Sequence, residues 1–543
     1  MVDVLPEGYY LDNFSYLLNF VAKQYSHLLY EHELGYATDF ESLSPESKML
    51  YVRLVQRRGP LFRVDKINYA ELSNLSSAID ELLNAGYLDF AVDANTIEVL
   101  DLLTKPELLK LPEASELDKS ARKILILECL VDINPDLSHI DRVRPLHHDN
   151  LQLYKLMFFG NMNQDFTEFV LNDLGVTPFE HYSLQTDTLF FETRELVEET
   201  LLIHQLDELS YELIEQSDVD EMEEFVSSLP VRHENRRLNR RYDRIVNRIA
   251  RQYERLDELD LALDLYRQSK STPSRERSAR VLLKKGLSAQ CIEQCTDIIE
   301  SPLDEQELEF SVRFLNRHRN KAFMGESLPN LNAALIRFAP ISRKIEVVED
   351  RYKQIEEIAC EWFASQGEDA IYVENALLAG IFGLAFWDII FAPVKGVFFH
   401  PFQRGPADMF TVEFSINRRE LIERRLVELE DPQVFRDMVL ERFTEKIPIA
   451  NHFVQWSMLD GALLQRFLSL VQTDAMLSVF RRLLDDPRAN RSGFPDLIVF
   501  RGDSYCLVEV KGPGDRLQDN QLRWLRHFSG VGIPAEVLYM SYL

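Results

Sequence analysis

The strongest constraint on how this chain folds lies near its C-terminus, in two apolar runs joined by a Gly-Asp turn. The first, Leu497 to Phe500, is entered through Gly493-Phe-Pro-Asp496. The second, Tyr505 to Val508, continues into Glu509-Val-Lys511 before Gly512-Pro-Gly514 stops it. Such runs around Gly502-Asp503 read as a β-hairpin, and a turn centred there sets Asp496 opposite Glu509. Side chains two apart on a strand share a face, so Glu509 and Lys511 point the same way. Two carboxylates and one amine therefore converge at the end of the hairpin. Close carboxylates repel unless a cation or a proton lies between them. Hard oxygen ligands with room for water suit Mg²⁺ or Mn²⁺. Asp496 and Glu509 are candidate metal ligands, and Lys511 is the candidate catalytic amine.

The rest of the chain must house this hairpin. Its 543 residues, 46% hydrophobic and 27% charged, leave ample core material for several domains. A net charge of −29 argues against wholesale coating of nucleic acid. It leaves room for a local basic surface, which is what grips a phosphate backbone. The longest apolar run, Ala376 to Trp387, is short for a membrane span and reads as a buried core helix. No membrane partner is expected. No secretory signal is read at the start, and five scattered cysteines suit a reducing compartment.

Residues 1–44 form an aromatic N-terminal segment, with Tyr16, Phe20 and Tyr25 compatible with a helix face. From Pro45 the pattern is of short helices. Leu75 to Ala85 carries an apolar stripe that Gly86 ends. Arg53, Arg57, Arg58 and Arg63 interleave with apolar positions, so one face can be buried while another is positive. Glu192 to Glu224 is acidic and reads as a solvated face. Arg232 to Arg255 contrasts with it, holding nine arginines and three acids. Arg236, Arg240, Arg244 and Arg248 recur every four residues and form one helical stripe, with Arg237 and Arg241 beside it. Either a phosphate backbone or the acidic segment would relieve their repulsion, and both readings stay open. Leu256 to Phe314 continues as helix pairs of irregular period, TPR-like and scaffold in character. Residues 330–340 read as a connector, and Arg343 to Ala364 as a helix.

The Pro495-Asp496 and Glu509-Val-Lys511 spacing matches the PD-(D/E)xK nuclease signature. The longer string, from Gly493-Phe-Pro-Asp496 through Glu509-Val-Lys-Gly-Pro-Gly-Asp-Arg-Leu-Gln-Asp-Asn-Gln-Leu-Arg-Trp524, resembles the VRR-NUC branch and within it the Fanconi-associated nuclease family. Tyr51 to Asp89 resembles that family again, as does Gly367 to Phe391. The resemblance implies a multidomain, mostly α chain with a C-terminal α/β PD-(D/E)xK nuclease core, preceded by helical SAP-like and TPR-like regions. The expected division is a helical segment at 1–44 and a SAP-containing DNA-binding region at 45–136. A TPR-like region follows at 145–330, then a VRR-NUC domain at 343–543 with a helical insertion at about 396–490.

The same resemblance places Glu374 at the metal site, opening the apolar helix, and adds the Val510 carbonyl as a ligand for one or two Mg²⁺ or Mn²⁺ ions. Arg488 and Arg491 match arginines near the scissile phosphate, and Gln521 faces the site. Together with Arg53, Arg57, Arg63, Arg236, Arg240, Arg244 and Arg248 these are the DNA-binding candidates. The implied activity is structure-selective cleavage near 5′ flaps with 5′-to-3′ exonuclease action, in interstrand crosslink repair. The implied partner is branched DNA. The chain departs from animal members in lacking an N-terminal Cys/His finger, so ubiquitin binding is not expected. A bacterial origin is, with the protein at the nucleoid where eukaryotic relatives are nuclear. Monomer and dimer both stay open. The rival readings are a Holliday-junction resolvase and a non-catalytic TPR-like scaffold.

Overall fold

The structure, a computed structural model, describes residues 8–57, 59–162, 164, 178–184, 188–216 and 218–543; Arg58 lies outside them. The chain divides into two compact units. One comprises residues 1–177 with 191–197, the other 178–190 with 198–543.

The first unit opens with helices Tyr9–Gln24, Glu31–Ser42, Pro45–Val55 and Leu75–Asn84. Local chemistry sets their ends. Ser44 caps the third by accepting from the Ser47 N–H, with Pro45 in the first turn where no donor is missed. Asn74 caps the fourth the same way, and Gly86, at φ +77°, lets the chain leave it as the sequence indicates. The Tyr9–Gln24 helix buries Tyr10, Phe14, Leu17, Leu18 and Val21, while Tyr16 is 42% exposed. Tyr16 and Phe20 share one side of this helix, their rings stacked with centroids 6.2 Å apart, and Tyr25, just past its end, is buried. Phe14, Phe40, Tyr51 and Tyr87 form an aromatic core. Strands β1 (Phe62–Arg63), β2 (Leu88–Asp89) and β3 (Arg142–Pro145) make a small antiparallel sheet in the order β1-β3-β2. Short helices Thr96–Asp101, Lys105–Leu108 and Lys123–Ile133 gather around Leu100, Leu108 and Leu130.

The second unit begins its helical part with consecutive helices, among them Arg236–Arg255, Leu259–Gln268, Ser274–Lys284, Ser288–Glu300 and Glu305–His318. Cys291 and Cys295 are buried on one of them. The chain then builds a five-stranded sheet from β4 (Ser342–Val347), β5 (Asp369–Tyr372), β6 (Leu497–Arg501), β7 (Ser504–Lys511) and β8 (Ala535–Tyr542). Their order is β4-β8-β7-β6-β5. β8 runs parallel to both β4 and β7, and the β5-β6-β7 pairs are antiparallel. β4 corrects the expected helix from Arg343. Arg343 to Val347 alternates between water and sheet and adds an edge strand along β8, so the helix starts only at Ile355 and ends at Ser365.

Alternation along β6 and β7 sorts two cores. Leu497, Val499, Cys506, Val508 and Val510 face the Ile355–Ser365 helix through Ile358, Ala359 and Phe363. Ile498, Phe500, Tyr505 and Leu507 face a larger core with the Leu377–Ala385 helix and the helices between 413 and 485. The Leu377–Ala385 helix is buried on every side, as its unbroken apolar run requires. Asp388, just beyond it, pairs with Arg425 and Arg442.

Candidate active site

The hairpin forms in the register that the turn dictates. Arg501 pairs with Ser504 and Leu497 with Val508, so Asp496, one step before β6, stands across from Glu509. Asp496, Glu509 and Lys511 thus lie on the sheet face shared with Ile498 and Leu507. The three are buried, and Glu509 is only 1% exposed. The Val510 N–H donates to Asp496 Oδ2 at 2.7 Å. Lys511 Nζ lies 2.7 Å from Glu509 Oε1. Gln521, near the start of the Asp519–Val531 helix, donates through Nε2 to the same oxygen at 2.6 Å.

Electrostatics at this point are strained in one direction. Burial pushes Glu509 up to about 8, and the negative charge of Asp496 adds to it against the pull of Lys511. Burial also lifts Asp496 to about 6, opposed by the Val510 N–H and Lys511 and reinforced by Glu374 and Glu356. Glu509 Oε2 is buried without a hydrogen-bond partner. A buried carboxylate oxygen left bare, beside a second carboxylate that raises its pKa, is a place where a hard cation fits. Among the described residues, no three His, Cys, Asp or Glu side chains gather closely enough to hold a metal ion by themselves. Asp496 and Glu509 are therefore the two side-chain donors that the geometry brings together.

Glu374 stands differently from the sequence expectation. It does not open the apolar helix but sits, exposed, in the turn between β5 and Leu377. The apolar run Ala376 to Ala385 supplies the helix, and the chain must first turn away from β6. Glu374 Oε2 accepts the Tyr372 hydroxyl, and Oε1 accepts from Asn375 Nδ2 at 3.2 Å. Burial and this hydrogen bond raise the Tyr372 hydroxyl well above its usual range. Sequence reasoning missed Glu356, in the first turn of the Ile355–Ser365 helix, whose charge is felt at Asp496. Its signal was weak because a first-turn acid is what any helix favours.

The basic candidates divide. Arg53 pairs with Glu71 and lies over the Tyr10 ring. Arg63 pairs with Asp65 and Glu107. Arg57 is exposed, donating to the Tyr69 hydroxyl at 3.2 Å. On the arginine helix, Arg241 and Arg248 both bind Asp207, from the acidic segment, and Arg240 binds Glu413. Arg236 and Arg244 are exposed. Arg488 is exposed, and Arg491, also exposed, lies over the Phe410 ring at 4.5 Å. Gln521 spends its amide inside the protein, its Oε1 accepting from the Gln518 N–H.

A mixed sheet with an aspartate at the lip of one strand and Glu-x-Lys on the next, flanked by helices on both faces, defines a nuclease of the PD-(D/E)xK class. Comparison with known proteins narrows this. Residues 8–89 match the family described as FAN1, HTH domain, and residues 431–541 the VRR-NUC domain. A Fanconi-associated nuclease 1 homologue of Pseudomonas aeruginosa is 33% identical over 559 residues, 99% of this chain and 97% of its own length. The human Fanconi-associated nuclease 1 is 25% identical across 98% of this chain and 62% of its own length. The crystal structure of paFAN1 bound to 5′-flap DNA with a gap superposes with a TM-score of 0.88 at 31% identity, covering the whole of both chains. The chain belongs to the Fanconi-associated nuclease 1 family and is a DNA nuclease.

Proposed function

We propose that this protein is a structure-selective nuclease that hydrolyses DNA phosphodiester bonds near 5′ flaps in a Mg²⁺- or Mn²⁺-dependent reaction, with 5′-to-3′ exonuclease action. The observation that carries it is the buried Asp496-Glu509-Lys511 group with its bare Glu509 oxygen. The flap preference draws on paFAN1, whose crystal structures hold 5′-flap DNA.

Asp496, Glu509 and the Val510 carbonyl would hold the metal, and the exposed Glu374 would have to swing in from the turn after β5 to complete the site. A divalent ion there would activate water at neutral pH and screen charge building on the phosphate. Lys511 Nζ stands beside Glu509, where it can orient the attacking water or meet negative charge in the transition state. Gln521 and Lys511 fix Glu509 Oε1 from two sides, which leaves the buried Oε2 free to act as a ligand. The Val510 N–H does the same for Asp496 Oδ2. No covalent nucleophile is required. Arg488 and Arg491 precede this loop and would meet the phosphate backbone.

The test is cleavage of end-labelled 5′-flap, 3′-flap, four-way-junction and plain duplex DNA with Mn²⁺, Mg²⁺ or EDTA, wild type beside Asp496→Ala. We expect metal-dependent cutting of the 5′ flap that Asp496→Ala abolishes while binding persists. Preferred cutting of the junction would assign a resolvase instead. Absence of cutting on every substrate would leave a scaffold.

A further inference from the structure

Beyond the three site residues, a short loop ties the acid-bearing segments together. The β5-β6 pairing runs one step past Tyr372, with the Val373 N–H donating to the Asp496 carbonyl at 2.8 Å. The chain then turns through Asn375, whose φ of +51° is a left-handed conformation that asparagine and glycine tolerate. Asn375 Oδ1 accepts from the Gly493 N–H at 2.9 Å and the Phe494 N–H at 3.2 Å. Its Nδ2 donates to Glu374. One side-chain amide thus links the loop that leads into Asp496 to the carboxylate of Glu374.

The same loop is gripped from its other side. A Cβ on Gly493, at φ +93°, would lie 2.9 Å from the Asn520 carbonyl carbon and side-chain nitrogen. Asn520 Nδ2 donates to Ser492 Oγ at 3.4 Å, and its neighbour Gln521 holds Glu509. The Phe494 ring packs on Trp524 with centroids 4.2 Å apart. Ser492 to Phe494 therefore sits between the turn carrying Glu374 and the helix that orients Glu509.

We propose that Asn375 is a positioning residue for the cleavage site: by binding the Gly493-Phe494 backbone and Glu374 together, it holds the Glu374 carboxylate in the turn next to the strand entry that carries Asp496 and so tunes affinity for the divalent ion. This rests on the nuclease reading above. Asn375 acts through Glu374 and touches neither substrate nor reacting atoms. The needed backbone conformation does not itself require the amide, since glycine adopts it without strain.

Asn375→Gly therefore separates the backbone from the amide. Mn²⁺ binding to the full chain without DNA, followed by calorimetry, should weaken about tenfold, the loss typical of removing a group that orients a ligand. The KM for flap DNA and its binding in EDTA should stay at wild-type values. The cleavage rate should fall at limiting Mn²⁺ and recover in excess. In a Glu374→Gln background, Asn375→Gly should change Mn²⁺ affinity no further, because its route is gone. Wild-type Mn²⁺ affinity in the single variant, or additive losses in the pair, would overturn the positioning role alone. A wild-type protein that neither takes up Mn²⁺ nor cuts DNA would overturn the nuclease reading beneath it.

Discussion

Glu509 and Asp496 are acids that the fold holds under conditions favouring their neutral forms, Glu509 at about 8 and Asp496 at about 6. In the unfolded chain both lose their protons near pH 4. Between about pH 4 and 8 this pair therefore holds more protons in the folded, metal-free protein than in the unfolded chain, and its contribution to stability falls as pH rises. Burial lowers the pKa values of His204, His400, His452 and His527, which act in the opposite direction below pH 7. We therefore expect the melting temperature of wild type in EDTA to fall relative to that of Glu509→Gln, which cannot ionise, from pH 5 to pH 8. Adding Mn²⁺ at pH 8 should restore what was lost, because a bound cation stabilises the charged pair and binds only the folded site. A difference between the two melting temperatures that does not change with pH in EDTA would show that the carboxylates are not held against each other. Asp496, Glu509 and Lys511 were legible in the sequence because period-two alternation about a short turn leaves one register. Asn375 was not: its role depends on Gly493, more than a hundred positions away, and a lone asparagine after a glutamate carries no pattern.

At the scale of a helix, Arg236–Arg255 shows how far spacing alone can be read. The four-residue repeat indicated a stripe, but its partners come from elsewhere in the fold, and pairing with acids accounts for part of it. Arg248 and Arg241 share Asp207 from the acidic segment, and Arg240 reaches Glu413. Arg236 and Arg244 face outward. Charge reversal at Arg236 and Arg244 should weaken flap-DNA binding and reduce the slope of log K against log salt by about 2, roughly one per phosphate contact, with no change in melting. Arg248→Glu should cost about 2 kcal/mol by breaking a charged hydrogen-bond pair and leave the slope intact. The opposite pattern would put DNA on the inner row. The same limit explains β4. Arg343 to Val347 has residues compatible with a helix face, and only the arrival of β8, nearly two hundred residues later, makes it a strand. The Leu377–Ala385 helix was legible from its unbroken apolar run, yet not how tightly it is packed. A Cβ at Gly383 would lie 2.8 Å from Val454 Cγ2 and 2.9 Å from Phe453 Cβ. Gly383→Ala should destabilise the second unit by about 1–3 kcal/mol through overpacking, read from denaturant midpoints. A stabilised variant would mean that helix propensity outweighs the contact.

For the whole molecule, the path of the chain matters more than the sum of its segments. It passes between the two units three times, after residues 177, 190 and 197. The short stretch 178–190 belongs with the second unit, and its side chains say why. Glu180 accepts from Trp387 Nε1 and Lys446 Nζ, both at 2.6 Å. Tyr182 stacks on Phe398 with centroids 4.0 Å apart, and its hydroxyl donates to the His400 carbonyl and accepts from the Gln403 N–H. Removing this stretch would strip paired groups of their partners, which costs more than the bonds themselves are worth. Phe191 and Val197, in contrast, are buried with the first unit and would be exposed without it. A fragment of residues 178–543, with Phe191 and Val197 changed to serine, should therefore melt cooperatively and keep Mn²⁺-dependent cleavage, since Glu374, Asp496, Glu509, Lys511 and Gln521 all lie in it. One starting at residue 198 should melt at a distinctly lower temperature. The longer fragment lacks Arg53, Arg57 and Arg63, so its preference for 5′-flap over plain duplex DNA should shrink in a competition assay. Undiminished preference would place substrate selection wholly in the helices and sheet of the second unit and take the first unit's arginines out of DNA recognition.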